Sequence, residues 1–138
     1  MSLTKKQRQI VWDKSGGICW YCGIDLPQKG WHAAHVEPVI RFSEYDSDSQ
    51  VRQQKNLHEN RDHIDNIVPA CAPCNLFKGV FSLEGFRAEL QQQAARAREY
   101  SVNFRNAERF GLVSVKSDQR VIFWFEQESP TTPRTLEN

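Results

Sequence analysis

An α+β fold is predicted by three observations: capped segments with helical spacing, short apolar runs that end in prolines, and two cysteine pairs of identical spacing. The 138 residues suit one domain with a small appendage. Hydrophobic residues make up 39%, below the usual globular share, so the core is modest and benefits from a staple.

At the N-terminus, Thr4 to Gln7 fits a capping box and predicts a helix to about Lys14, burying Ile10, Val11 or Trp12. Gly16 and Gly17 end it. A tight cysteine turn follows at Cys19–Gly23, then a strand over Trp31–Ile40 that breaks at Pro38. Residues 41–61 are polar and uneven, and a loop of that length inside a compact domain is usually functional or mobile. A short strand over Asp65–Ala70 leads to Cys71–Asn75, and a short helix is expected from Asn75 to about Gly79. Ser82 caps a further helix, with Leu83, Phe86, Leu90 and Ala94 on one face and Arg87, Glu89, Arg96 and Arg98 in water. Gly111–Val115 and Val121–Phe125 flank a turn and predict a β-hairpin. Strict alternation there keeps Phe123 and Trp124 from both pointing inward. The expected organisation is a core over 1–80, a helix and hairpin packed on it over 81–128, and a disordered tail over 129–138.

No apolar run approaches the roughly 20 residues that span a bilayer, and the first residues lack a secretory pattern. A cytosolic protein is expected, in a compartment where cysteines serve more often as metal ligands or catalysts than in disulfides. The formal net charge of +1 gives no hint of nucleic acid, so DNA affinity has to come from local placement of Arg and Lys.

Cys19-x-x-Cys22 and Cys71-x-x-Cys74 are two knuckles that can each aim both sulfurs at one ion. Four thiolates in a tetrahedron select zinc or an iron–sulfur centre, and nothing suggests electron transfer. A closed, structural Zn2+ site is expected. The competing readings, redox dithiols or disulfides, lack a thioredoxin-like context.

Within this frame stand His35-Val36-Glu37-Pro38, Asp65-Asn66-Ile67-Val68-Pro69 and Cys74-Asn75-Leu76-Phe77-Lys78-Gly79. Together with the cysteines, these resemble the HNH endonuclease family over Cys19–Gly79. With less detail, Phe81–Arg87 and the expected C-terminal hairpin look similar to small phage-type members. The resemblance implies a ββα-metal core and a DNA endonuclease working in a bacterial host cell. It implies His35 as general base, Asn66 as the brace that orients it, and Asn75 as ligand to a catalytic Mg2+ or Mn2+. DNA is the implied partner, with the chain a monomer or homodimer.

One position departs from the family pattern. The residue before the base histidine, usually Asp, Glu or His, is Ala34, which has no donor atom. Either this is an inactivating replacement, or the chain is a natural weakened variant, or His32, Glu37 or His63 supplies the ligand. The alternative function is a non-catalytic, zinc-containing DNA-binding module; a zinc module for protein partners is a third. Lys78, Arg41, Arg52, Lys55, Arg61, Lys5, Lys6 and Arg8 are the candidate phosphate contacts.

Overall fold

The computed structural model of the chain describes residues 2–39 and 61–127. Helix α1 runs Lys5–Asp13, opened by the expected capping box: the Thr4 side chain accepts from the Gln7 N–H, and the Gln7 side chain accepts from the Thr4 N–H. Val11 is the residue α1 buries, while Ile10 stays exposed. Strands β1 (His32–His35) and β2 (Ile67–Ala70) pair antiparallel, with His32 opposite Ala70 and His35 opposite Ile67. Helix α2 (Ala72–Lys78) follows β2 after a single residue and packs on β1. It starts three residues earlier than expected, with Cys71 as its N-cap and Pro73 in its first turn, where a missing N–H costs nothing.

Helix α3 (Leu83–Gln91) opens at Ser82, whose hydroxyl accepts from the Gly85 N–H at 3.1 Å. Helices α4 (Gln93–Tyr100) and α5 (Val102–Arg109) then pack on one another, joined by an Arg98–Glu108 ion pair at 2.7 Å. Ser101 caps α5 through the Phe104 N–H, and Gly111, at φ +75°, lies just past its end.

The expected C-terminal β-hairpin does not form. Residues 111–123 are irregular and lead into a single 3-10 turn at Trp124–Glu126. Side chains replace the strand ladder: Gln91 accepts from the Val121 N–H and donates to the Gln119 carbonyl. Arg87 donates to the Val121 carbonyl at 2.6 Å. With no strand to impose alternation, Phe123 and Trp124 are both buried. Backbone bonds Trp124 N–H to Tyr21 O and Phe125 N–H to Trp20 O dock this segment on the first cysteine knuckle. Tyr21, Phe86 and Phe123 meet there with ring centroids 5.3–5.6 Å apart. The expected tail over 129–138 lies outside the described residues.

Arg87 corrects a second expectation. Instead of facing water it is 6% exposed, lies over the Phe123 ring and forks onto Glu84 and Glu126. Burial of so polar a head is tolerated because two carboxylates and a carbonyl meet its donors. Arg96 and Arg98 do reach water, each tied to a glutamate.

Candidate metal centre and histidine hairpin

The four cysteines come together from two directions. The first knuckle turns at Gly23, whose φ of +81° suits glycine; the Gly23 N–H donates to Cys19 O, and the Cys19 N–H donates to Ile24 O. The second is the entry to α2, with Cys71 at its cap and Cys74 in its first turn. The Trp20 N–H to Pro69 O bond holds the first knuckle against β2, and the Cys71 N–H points at Cys19 Sγ, 3.3 Å away. All four sulfurs lie within 4.8 Å of one another. Cys19 and Cys71 are buried, Cys22 and Cys74 partly so, and none is in a disulfide.

Thiols packed this closely cannot ionise independently. Hydrogen bonds from Cys22 and Cys74 hold the Cys19 thiol well below the ordinary range. The Cys19 sulfur in turn pushes Cys22 up to about 12 and Cys74 further up. The Tyr21 phenol beside them is pushed up too, first by burial and then by the charge of the sulfurs. Its hydroxyl has no hydrogen-bond partner among the described residues.

The three residues of the histidine–asparagine pattern sit on the adjoining β1–β2–α2 unit. His35, closing β1, is partly buried, and its Nε2 lies 2.8 Å from Asp62 Oδ1. A carboxylate only accepts, so the ring donates from Nε2, and the neutral tautomer that does so carries its lone pair on Nδ1. Asn66, immediately before β2, closes the neck of the segment between the strands. Its Oδ1 accepts from the Glu37 N–H, and its Nδ2 donates to the carbonyls of Glu37 and Arg61 at 2.8 and 2.7 Å. Asn75, in α2, places its carboxamide 2.9 Å from Nδ1 of His32. No hydrogen bond among the described residues joins Asn75 to His35. The helix reaches His35 instead through Lys78, whose ammonium donates to the His35 and Phe81 carbonyls at 3.1 and 2.8 Å.

Lys78, expected among the phosphate contacts, is 1% exposed. Burial lowers its pKa, opposed by the charge of Glu37. Two carbonyls occupy its ammonium, so its work is to bind α2 to the hairpin. Arg61 donates to the Pro38 carbonyl at 3.3 Å. Arg41, Arg52, Lys55 and His58 lie outside the described residues.

Ala34 is 1% exposed, pairs with Val68 and belongs to the hydrophobic core. Of the three suggested compensating ligands, His63 is exposed and accepts from the Asp65 N–H, Glu37 is exposed, and His32 stands beside Asn75. Among the described residues, the cysteines are the one group of three or more His, Cys, Asp or Glu side chains within ligand distance of each other. Sequence reasoning missed Asp62 altogether, because an aspartate in an uneven polar stretch carries no periodic signal.

No family model matches the chain, and comparison with curated proteins and with solved structures gives no significant match. No helix of the described residues is long and apolar enough to cross a membrane.

Proposed function

We propose that the chain is a metal-dependent DNA endonuclease of the HNH kind, its hairpin and helix clasped by a structural Zn2+. Four ligands about 2.3 Å from a tetrahedral centre stand about 3.8 Å from one another. The Cys22 and Cys71 sulfurs are 3.8 Å apart, and the all-thiol donor set suits zinc. Cys19, Cys22, Cys71 and Cys74 would hold the ion.

The observation that carries the nuclease reading is the Asp62–His35 pair at the end of β1. A ring that donates from Nε2 to a carboxylate presents Nδ1 as a base toward a water. Asp62 fixes the tautomer, Asn66 sets the chain path that follows His35, and Lys78 anchors the His35 carbonyl to α2. For the catalytic cation the donors at hand are His32 Nδ1 and the Asn75 carboxamide, with Ala34 contributing none. An imidazole ligand suits Mn2+ or another transition dication better than Mg2+. When bound, such an ion would stabilise negative charge developing on the phosphate.

Plasmid cleavage tests this reading. The chain is expected to cut with Mn2+, less with Mg2+, and His35→Ala is expected to lose about a hundredfold or more in rate. Cutting that survives His35→Ala would overturn it.

The buried Ala34 and the lack of a carboxylate cluster among the described residues favour a second reading, a non-cutting zinc DNA-binding module. Tight, salt-sensitive duplex binding with no cutting in either metal is its signature. Ala34→Asp is a poor rescue test, because it buries a carboxylate in the core.

A further inference from the structure

We infer that the face of α1 carrying Lys5, Arg8 and Trp12 is a binding site for one unpaired nucleotide. Lys5, Arg8, Gln9 and Trp12 recur at helical spacing along one stripe, and with Gln28 and Trp31 they line a cavity of about 320 Å³. That is the lower end of the range for small-ligand sites.

The walls are held in place. The Arg8 guanidinium lies 4.1 Å from the centroid of the Trp31 ring and donates to the Trp31 carbonyl at 3.4 Å, so it is fixed over the indole. Trp31 is 6% exposed, and Trp12 tilts against it with centroids 5.7 Å apart. Trp12 lies so close over Gly17 that a Cβ there would stand 2.5 Å from its ring. A glycine is needed to seat this tryptophan, which leaves it partly exposed on the cavity side.

The lining selects the ligand. Among the described residues neither Lys5 nor Arg8 is paired with a carboxylate, and no acid lines the cavity. A cationic guest is repelled, and a purely apolar one leaves two charges unanswered. A planar ring carrying an anion uses the indole, both cations and the two amides together. Gln9 already donates to Asp13 at 2.9 Å, which leaves its carbonyl oxygen to accept from a base edge. A nucleotide has this chemistry, and only an unpaired one exposes its base for stacking.

The inference takes its polymer, DNA, from the reading above, but its test does not depend on cutting. The full chain, in buffer without added divalent cations, is titrated with the tetranucleotide of thymidylate while tryptophan fluorescence is followed. Saturable quenching is expected, weakening with salt and competed by thymidine 5′-monophosphate. The double variant Lys5→Gln, Arg8→Gln keeps every tryptophan and is expected to bind about tenfold or more weakly. Should it fail to fold, Gln28→Glu, an exposed change that sets a carboxylate beside the phosphate, is expected to weaken binding likewise. Absence of saturable quenching, or quenching that these variants leave intact, would overturn the site. Plasmid cleavage without such binding removes the pocket and leaves the nuclease reading; binding without cleavage does the reverse.

Discussion

At the residue scale, the side chain with most to reveal is Asp62. It touches His35 at Nε2, so under the proposed nuclease function its effect would pass through the ring, as that of a positioning residue. Asp62→Asn removes the charge that favours the Nε2–H form. A rate loss of about tenfold or more is expected, together with nitrogen chemical shifts showing a mixed His35 tautomer. An aspartate that serves only the fold would lower stability on replacement but leave the rate of the folded protein and its pH profile unchanged. Tyr21 offers a different test, because its buried hydroxyl has no hydrogen-bond partner among the described residues. Tyr21→Phe keeps the ring among Phe86 and Phe123, and is expected to leave stability equal or about 1 kcal/mol higher by urea unfolding. His35, Asn66 and Asn75 were legible in the sequence as a pattern, but their contacts were not. Spacing told nothing of the Asn75–His32 pairing, which depends on where α2 crosses β1. Lys78 misled because a basic residue at the end of a short helix, next to a glycine, looks solvated; only the carbonyls of His35 and Phe81 explain its burial.

At the scale of elements, those with local instructions were readable. Thr4 and Ser82 mark helix starts through side-chain caps, and both caps are found. Ser101 and Gly111 bracket α5 by the same logic, so its signal was present though no helix was assigned. The β-hairpin failed for a tertiary reason. Val121–Phe125 has strand-like composition, but its polar backbone groups are met by Gln91, Arg87 and the first knuckle rather than by a partner strand. Arg87 therefore governs this segment, and Arg87→Met is expected to cost about 2 kcal/mol in urea unfolding and to expose the C-terminal aromatics to quenchers. The tie has a pH signature. Arg87 holds the Glu126 carboxyl below its ordinary value of 4.5. Its stabilisation is thus full above pH 4.5 and fades as the pH falls through the lowered folded value, where Glu126 protonates. Arg87→Met should flatten that acid limb of the stability curve.

At the scale of the molecule, the gathering of four cysteines was legible in two identical spacings, since each knuckle is a local structure and only their meeting is long-range. The modest core makes that meeting matter. Native mass spectrometry is expected to find one zinc, and a strong chelator to unfold the chain cooperatively; a chelated protein that keeps its near-UV dichroism would remove the clasp from the account. The outgoing end of β1 and the approach to β2 are tied together by Asn66 to Glu37 and Arg61, and by Arg61 to Pro38. One carboxamide therefore bridges the backbone that leaves β1 and the backbone that enters β2. Its loss should let the mouth of the hairpin splay and carry the imidazole with it, so the reach of that single side chain sets how steadily residue 35 is presented.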